Sequence, residues 1–300
     1  MTKKQINNIL IWIGAIFLIL LIMTPGLWVV ITAFRPQVDI MAKPAVWIPR
    51  NLSFNQFETM LFGGSEGSMG RSPVPVLSYL RNSLIISIVS TSVAVFIGTL
   101  GGYAFARHEF KGKNSYFFLI MLTRAIPGIS LSLPIFILFS KLGIIDTHFG
   151  IIIVFVALNV PFTIWLTDGF FRQIPRAMSE VAMTDGCTRL QAFWHIELPL
   201  SKSGIASAGI FAFLISWNEF ALVSNLARST DSKTLTVGLM DFTSQFTINW
   251  PGMCALAVFI IIPALILTFM VQKHLVSGLT FGGVKGCLLY TSPSPRDTLL

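Results

Sequence analysis

The chain has 300 residues, of which 54% are apolar and only 11% are charged, and its mean hydropathy is +0.75. A soluble domain carries about 25% charged residues, so this composition excludes an ordinary soluble protein and predicts an all-α membrane protein, a helix bundle in the lipid bilayer. The net charge of +8 does not indicate nucleic-acid binding, because the basic residues lie in short loops beside apolar segments rather than in one patch.

Six apolar runs are each long enough to cross the hydrocarbon core of a membrane, which requires about 20 residues. The first run follows a basic start and is longer than the apolar core of a secretory signal, so we expect an uncleaved first span. In chain order the predicted spans cover residues 9–34, 83–106, 116–140, 150–171, 204–226 and 253–271.

The distribution of basic residues predicts the orientation of these spans, because lysine and arginine favour the cytoplasmic side. The N-terminus and the second, fourth and last connections contain many of them, whereas the two short connections on the opposite side contain few. The long connection at 35–82 is also basic, but long loops cross largely regardless of charge. Both termini are therefore predicted to be cytoplasmic, and the loop at 35–82 to face outward, with a flexible glycine-rich part at 63–70.

A polar stretch at residues 175–199 separates the fourth and fifth predicted spans, on the predicted cytoplasmic side. Pro175 suits the first turn of a helix, where its missing N–H has no cost. Gly186 suits the left-handed conformation that ends a helix, and Pro199 disfavours helix at the residue before it. The pattern predicts a short helix, a glycine turn and a second short helix.

Both short helices would carry apolar side chains that need a surface to pack against. An i,i+4 ion pair between Arg176 and Glu180 is expected to support the first helix. The apolar side chains would rest on the bilayer or on the protein's own bundle, or they would enter a cleft in a partner protein; their spacing leaves both open. They are Met178, Val181, Ala182, Leu190, Phe193 and Trp194.

Six positions of this stretch match the EAA loop motif: Glu180, Ala182, Gly186, Ile196, Leu198 and Pro199. On this motif the chain resembles the permease subunits of bacterial ABC importers, and it departs from the pattern at Val181, where the motif has a second alanine. Four further segments place the resemblance in the carbohydrate-uptake (MalG-like) branch of the family: Arg-Asn-Ser-Leu at 81–84, Tyr-Ala-Phe-Ala-Arg at 103–107, Trp-Asn-Glu-Phe at 217–220 and Leu-Val-Ser-Gly-Leu-Thr at 275–280.

The resemblance implies a type I importer permease bundle of six transmembrane helices in the bacterial inner membrane. It implies ATP-driven, binding-protein-dependent import of a sugar, which is a maltose-type disaccharide, an oligosaccharide or a glycerol-phosphate-like solute. It also implies three kinds of partner: a second permease subunit, an ABC ATPase dimer and an extracytoplasmic solute-binding protein. In this family the EAA loop is a coupling helix seated in a cleft of the ATPase subunit. The coupling residues implied here are Glu180, Ala182, Asp185, Gly186, Ile196, Leu198 and Pro199.

The expected domain division follows from the spans and the resemblance. Residues 1–76 comprise the first span and the outer loop, which is either a plain connector or a contact for the solute-binding protein. Residues 77–272 form the permease domain, and 273–286 a cytoplasmic C-terminal segment. Chains of this branch stop near Gly286, and residues 287–300 contain proline and serine without periodicity, so we expect a non-native tail; a regulatory tail is the alternative.

Polar residues inside membrane spans are costly, so they tend to line water or a ligand path. An asparagine, glutamate and tryptophan set offers partners for sugar hydroxyls and a flat face for a sugar ring. Hydrogen bonding between helices is the alternative, and for the arginine a carboxylate on a neighbouring helix. The predicted path residues are Asn159, Trp217, Asn218, Glu219 and Arg124.

The sequence has no P-loop pattern and therefore does not bind ATP by that route. It also lacks nucleophile and metal-ligand motifs, and Cys187, Cys254 and Cys287 are scattered, so we expect no catalytic residue, metal, disulfide or cofactor. ATP hydrolysis is expected on a separate subunit. Two other classes remain open: an ion-gradient-driven transporter of a small polar solute, with Glu219 as its intramembrane acid, and a membrane-embedded enzyme.

Overall fold

The computed structural model describes residues 3–44, 46, 49, 51–62, 74–244 and 247–280. In these ranges the backbone is almost entirely helical, and its only β-type contact is an isolated antiparallel bridge between Thr243 and Ile248. The glycine-rich loop at 63–70 and the tail at 287–300, whose flexibility and non-native origin are predicted above, lie outside the described residues.

Long apolar helices form the body of the structure, and short helices lie in the connections. In chain order the helices are α1 Lys3–Ala33, α2 Gln37–Ile40, α3 Asn55–Phe62, α4 Val76–Arg107, α5 Lys113–Leu122, α6 Gly128–Leu142, α7 His148–Gln173, α8 Arg176–Thr184, α9 Arg189–Ala192, α10 Leu198–Leu200, α11 Lys202–Asn218, α12 Val223–Leu226, α13 Leu235–Gly238 and α14 Trp250–Thr280. A 3₁₀ turn, Thr123–Ala125, follows α5; a π-helical turn, Phe193–Glu197, follows α9; and a second 3₁₀ turn, Leu239–Phe242, follows α13.

The described part of the chain contains four helices long and apolar enough to cross a membrane, α1, α4, α7 and α14. The number rises to six when each of two bent helix pairs counts as one span. One pair joins Lys113–Ala125 to Gly128–Leu142 at 93°, and the other joins Arg189–Leu200 to Lys202–Asn218 at 72°. The all-α membrane fold is thus confirmed, and the six predicted runs fall on these six elements.

The predicted third span, 116–140, is broken rather than continuous. Ile126 is extended, with φ −76° and ψ 120°, as expected for a residue that precedes a proline. Pro127 then serves as the cap from which α6 starts in a new direction. The single span expected from hydropathy is therefore two half-length helices with a sharp corner between them.

The predicted fifth span, 204–226, is shorter than expected and ends at Asn218. Glu219 is extended, with φ −70° and ψ 119°. Its carboxylate Oε1 accepts a hydrogen bond from the Leu222 N–H at 3.0 Å, which starts the next turn. The apolar residues that follow belong to the separate short helix α12, because Glu219 stops α11 before them.

The centre of the bundle is the packing of α4 against α7 through small residues. Gly98 and Gly102 stand four residues apart on α4, and the Thr167 hydroxyl of α7 donates to the Gly98 carbonyl at 3.1 Å. A Cβ added to Gly102 would lie 2.8 Å from the backbone nitrogen of Asp168. Small residues at this spacing allow the backbones of two membrane helices to approach closely.

At one end of the bundle, here called the loop end, the connection between α11 and α14 folds back on the start of α4. Asn82 Nδ2 donates to the carbonyls of Thr230 and Lys233 at 3.0 and 2.9 Å. Ser83 Oγ accepts from the Leu235 N–H at 2.8 Å. Asn82 and Ser83 belong to the Arg-Asn-Ser-Leu segment that contributes to the family resemblance, and their role is to hold this connection.

Candidate functional site

The opposite end of α4 carries the helix–turn–helix segment at residues 175–200, which we call the elbow. Its first helix, α8, begins after Pro175. Gly186 has φ +95°, and the Cys187 N–H closes the turn by donating to the Ala182 carbonyl at 3.0 Å. Positive φ is accessible to glycine without a Cβ penalty. The predicted short helix, left-handed glycine turn and second short helix are confirmed.

The second arm of the elbow begins at a capping box. The Gln191 N–H donates to the Thr188 hydroxyl at 3.3 Å, and the Thr188 N–H donates to the Gln191 side-chain oxygen at 2.8 Å. Each side chain thereby satisfies a backbone N–H that the first turn leaves without a helical partner. This reciprocal pair fixes the point at which α9 starts after the glycine turn.

The prediction that Pro199 ends the helix before it is wrong. Leu198 is helical, with φ −64° and ψ −48°, and its N–H donates to the Phe193 carbonyl five residues earlier. This wider π turn ends immediately before Leu198 and Pro199, so the helix is loosened where the proline N–H is missing. The second arm consequently runs on through α10 up to the start of α11.

The inner face of the elbow packs against the ends of α4 and α7. Phe193 is buried together with Ala106 and Phe171. The ring of Phe193 lies 4.5 Å from the ring of Tyr103, between centroids. Ala182, a motif position, is also buried. The elbow's own bundle therefore covers one apolar face, as the first of the two packing alternatives anticipates.

A buried ion pair joins the elbow to the end of α4. Arg107 donates from Nε and Nη2 to Glu197 Oε2 at 2.9 and 2.8 Å, and the Glu197 side chain is only 1% exposed. The second oxygen of Glu197 accepts from the Ser179 hydroxyl of α8 at 2.6 Å. Arg107 Nη2 also donates to the carbonyl of Ile174, at the end of α7, at 2.9 Å.

Sequence reasoning missed Glu197 and Arg107 as a pair. Glu197 occupies the variable position of the motif between Ile196 and Leu198. Arg107 is noted in the sequence as the last residue of the Tyr-Ala-Phe-Ala-Arg segment and as one of several basic residues at span ends, without a partner. The available signal is an acid inside an otherwise apolar run, which needs a partner if it is buried. The identity of that partner requires the fold, because 90 residues separate the two side chains.

The expected ion pair between Arg176 and Glu180 is absent. Arg176 Nη2 instead lies 3.9 Å from Glu109, which also binds Lys113 Nζ at 2.9 Å. The hydrogen bond and charge of Lys113 lower the pKa of Glu109, and Arg176 adds to the effect. Glu180 itself is exposed. Its carboxylate is therefore accessible to a partner.

The outer face of the elbow is an open apolar groove of about 510 Å³ between its two arms. Val181, which lines it, is 59% exposed, and Leu190 and Trp194 of the second arm, outside the lining, are 66% and 48% exposed. With Val181, the residues that line the groove are Ala177, Met178, His195, Ile196 and Leu200. Asp185, Gly186 and Pro199 of the motif are exposed as well. Exposed apolar surface of this kind, beside charged residues, is typical of a protein-binding site.

Asn159 of the predicted path lies in a buried polar cluster at the centre of the bundle. Its Nδ2 donates to the Ser216 hydroxyl of α11 at 2.8 Å, and Ser90 of α4 donates to the same oxygen at 3.2 Å. Asn159 Oδ1 has no hydrogen-bond partner among the described residues. The cluster joins three helices through hydrogen bonds, while a place in the solute path stays a prediction.

The other predicted path residues of α11 do not converge with Asn159. Trp217 is 2% exposed and donates from Nε1 to the Ile260 carbonyl of α14 at 3.0 Å. Asn218 is exposed and donates to the Leu214 carbonyl of its own helix. Glu219 is half-buried and caps the turn after α11. The ring of Trp217 stacks on Phe213, with 5.5 Å between the ring centroids. A contact between Trp217 and a solute stays a prediction.

Arg124 lies on the exposed 3₁₀ corner between α5 and α6. Its guanidinium donates to the Leu158 carbonyl at 2.9 Å and lies 5.7 Å from the ring centre of Phe162. Both partners belong to α7 and are neutral. Arg124 is thus brought next to the helix turn that carries Asn159, and its side chain is exposed.

Among the described residues, no group of three His, Cys, Asp or Glu side chains is arranged to hold a metal ion. Cys187 and Cys254 are free thiols. The features that the structure places at the elbow are an apolar groove, an exposed carboxylate and a buried inner face, which suit recognition of a partner.

Comparison with known proteins decides the family. Residues 94–280 match the family described as the binding-protein-dependent transport system inner membrane component. The chain belongs to this family. These residues include α7, the elbow and α11, and the family assignment confirms the resemblance found in the sequence. The chain is accordingly a multi-pass permease of the inner membrane.

Named relatives of the permease cover nearly its whole length. The diacetylchitobiose uptake system permease protein DasC of Streptomyces coelicolor is 32% identical over 282 residues, which is 94% of this chain and 96% of the relative. The trehalose/maltose transport system permease protein MalG of Thermococcus litoralis is 30% identical over 290 residues, 95% of this chain and 100% of the relative.

A solved structure supports the fold of the permease. A chain from a bacterial ABC transporter that imports the acidic polysaccharide alginate superposes with a TM-score of 0.74. The superposition covers 91% of this chain and 98% of that chain, at 20% sequence identity. At this identity the likeness shows the fold alone, a type I importer permease architecture rather than a shared solute.

Proposed function

We propose that this permease forms half of the translocation pathway of an ATP-driven, binding-protein-dependent importer of a sugar. The single observation that carries the proposal is the position of the EAA motif on an elbow whose outer face is an uncovered apolar groove. An exposed groove of this size on a short helix pair needs a partner surface. The family context makes an ABC ATPase subunit the fitting partner.

The proposed contact uses both chemistries of the outer face. Val181, Leu190 and Trp194 would fill an apolar cleft in the ATPase subunit, and Glu180 would meet a basic or donor group at its rim. The elbow is suited to transmit force, because its inner face is packed on α4 and α7. Closure of an ATPase dimer would then move the elbow and the attached helices together, as in the rocking motion of other transporters.

The proposed orientation places the elbow and both termini in the cytoplasm. The support is the basic composition of this end of the bundle, where Arg107, Lys111, Lys113, Arg172 and Arg176 gather near the elbow. The loop end would then face outward, toward a solute-binding protein. A second permease subunit is proposed to complete the pathway, since the six candidate spans of one chain supply only half of it.

The proposed solute is a disaccharide or short oligosaccharide. The support is the naming of relatives as permeases for diacetylchitobiose and for trehalose and maltose. An ion-gradient-driven carrier gains no support from the geometry, because Glu219 lies at the end of α11, where its carboxylate caps the next turn. A membrane-embedded enzyme would need a nucleophile or a metal-ligand set, and no observation on the described residues favours one.

A site-specific crosslink tests the proposal. A photoreactive amino acid replaces Val181 on the outer face of the elbow, and a matched variant carries it at Met240, which is similarly exposed at the loop end. Illumination of native membranes is expected to link the ATPase subunit to position 181 and not to position 240. Capture of lipid alone at position 181, with no ATPase subunit, contradicts the proposed contact.

A further inference from the structure

One buried ion pair connects four structural elements at the elbow. Arg107 is the last residue of α4, and its guanidinium reaches the Ile174 carbonyl at the end of α7 and the carboxylate of Glu197 in the π turn. Glu197 in turn accepts the Ser179 hydroxyl of α8, the first arm of the elbow. The side chains of Arg107 and Glu197 are 9% and 1% exposed, so the pair lies out of water.

The apolar contacts beneath the elbow do not by themselves set its direction. Phe193, Phe171 and Tyr103 pack as tilted or edge-on rings, and such contacts tolerate rotation of one element over another. Hydrophobic burial is non-directional, whereas the planar guanidinium group donates its hydrogen bonds to a carboxylate in few orientations. The ion pair is therefore the directional element of this interface.

The ion pair between Arg107 and Glu197 is not expected to add much to the stability of the fold. Bringing two charges out of water has a large desolvation cost, and an apolar pair of similar volume is often as stable or more stable. Buried charges can instead fix the register of packed elements, a role established in some helical assemblies. At this site the register concerned is that between the elbow and α4.

We propose that Arg107 and Glu197 are positioning residues for energy coupling: they lock both arms of the elbow to the end of α4, so that movement of the elbow becomes movement of that helix. The proposal rests on the proposed function of the elbow as the contact for an ATPase subunit. It adds that α4, through this clamp, is the helix that receives the movement. We use the term clamp for Arg107, Glu197 and Ser179 together.

The decisive variant replaces both charges with apolar residues, Arg107→Met with Glu197→Leu, in the full chain assembled with its partner subunits. The double change leaves no unpaired buried charge, so the elbow is expected to stay folded and attached. Solute transported per ATP hydrolysed is expected to fall about tenfold, within the range usual for coupling between sites. ATP hydrolysis by the purified complex is expected to persist.

Three further variants separate positioning from stability. Glu197→Gln keeps the shape of the side chain and removes its charge, and it is expected to lower transport per ATP with a smaller effect than the double variant. Ser179→Ala removes one neutral hydrogen bond and is expected to lower it least. Thr268→Ala, at an exposed position of α14 outside the elbow, also removes one neutral hydroxyl and is the matched control; it should leave transport per ATP unchanged.

A structural readout accompanies the transport assay. Spin labels at Thr184 on the elbow and at Lys111 beyond the end of α4 report the distance between the two elements, both positions being exposed. The distance distribution is expected to broaden in the double variant relative to the unaltered clamp. An unchanged distribution together with unchanged transport per ATP would overturn the proposal, because the clamp would then be replaceable by ordinary packing.

A failure of the proposed function can be told apart from a failure of the clamp. If the proposed function is wrong, the unaltered chain itself would take up solute without ATP hydrolysis, or its complex would contain no ATPase subunit. That result would overturn the coupling role of the elbow and of the clamp together. Normal coupling in the unaltered chain and in the double variant would overturn the clamp alone.

Discussion

At the scale of single residues, Gly186 determines the angle between the two arms of the elbow. Its φ of +95° lies in the region that disfavours residues with a Cβ, and an added Cβ would meet no atom within 4 Å. A substitution there is therefore penalised by backbone strain, on the order of 1 to 2 kcal/mol, and not by a clash. The strain would rotate one arm of the groove relative to the other.

Gly186→Val is expected to reduce solute uptake strongly while ATPase activity and membrane insertion persist. Gly143 supplies the matched control, because it also has a positive φ, +69°, with open space around it, and it lies away from the elbow. Gly143→Val should have a similar strain cost without loss of coupling. Equal uptake by the two variants, measured per assembled complex, would contradict the role given to Gly186.

Asp146, in the connection before α7, is the residue that organises the loop end. Its carboxylate accepts the N–H groups of Arg228 and Ser229 at 2.7 and 2.9 Å and the hydroxyl of Ser232. Burial alone would raise the pKa of Asp146, but these donors outweigh it and lower the pKa from 3.8 to about 2. The folded form thus favours the ionised carboxylate.

A lowered pKa means that the ionised Asp146 stabilises the loop end above its ordinary pKa, and that this stabilisation is lost as the pH falls from about 4 to about 2. Asp146→Asn should therefore weaken the loop at neutral pH by about 1 to 3 kcal/mol, the usual cost of a lost charged hydrogen bond. Hydrogen exchange over residues 227–233 measures the effect. Asp231→Asn, at an exposed position of the same loop, should change nothing.

At the scale of elements, the contact between α4 and α7 depends on glycine at position 102. A Cβ there would lie 2.8 Å from the Asp168 backbone nitrogen, which cannot swing aside as a side chain can. Gly102→Ala is expected to separate the helices and destabilise the chain by about 1 to 3 kcal/mol. Gly169→Ala on α7, where a Cβ meets open space, is the control and should be neutral or stabilising.

The thermal unfolding temperature in detergent distinguishes these outcomes. Gly102→Ala should lower it, and Gly169→Ala should keep or raise it. A Gly102→Ala chain as stable as the unaltered one would mean that α4 and α7 have room to move apart. That result would contradict the close packing of Gly102 against the backbone of Asp168. The elbow clamp would then be anchored on a less rigid pair of helices.

Local chemistry explains which elements the sequence predicts well. Gly186 and Pro175 act within a few residues of themselves, and the helix boundaries of the elbow follow from them. The corner at Pro127 is also local, yet hydropathy over 116–140 is continuous and conceals it. The π turn before Pro199 keeps Leu198 helical, an outcome that the rule for residues before proline does not anticipate.

At the scale of the whole molecule, long apolar helix surfaces remain exposed. No residue in the most apolar stretch of α1 is buried, and only 17% of the residues in the most apolar stretch of α14 are buried. Such surface suits a lipid environment, and the proposed second permease subunit would cover part of it. Composition and hydropathy predict this exterior, whereas the clamp between Arg107 and Glu197 joins residues 90 positions apart and becomes visible only in the fold.

The elbow is proposed to lie in the cytoplasm, covered by an ATPase subunit. The most direct measurement is the reactivity of a single thiol, Val181→Cys, in a chain with its native cysteines replaced by serine, toward a maleimide that does not cross membranes. We predict no labelling in right-side-out vesicles, and labelling in inside-out vesicles only after the ATPase subunit has been stripped off. Labelling from the outside, or equal labelling with and without that subunit, would contradict the account.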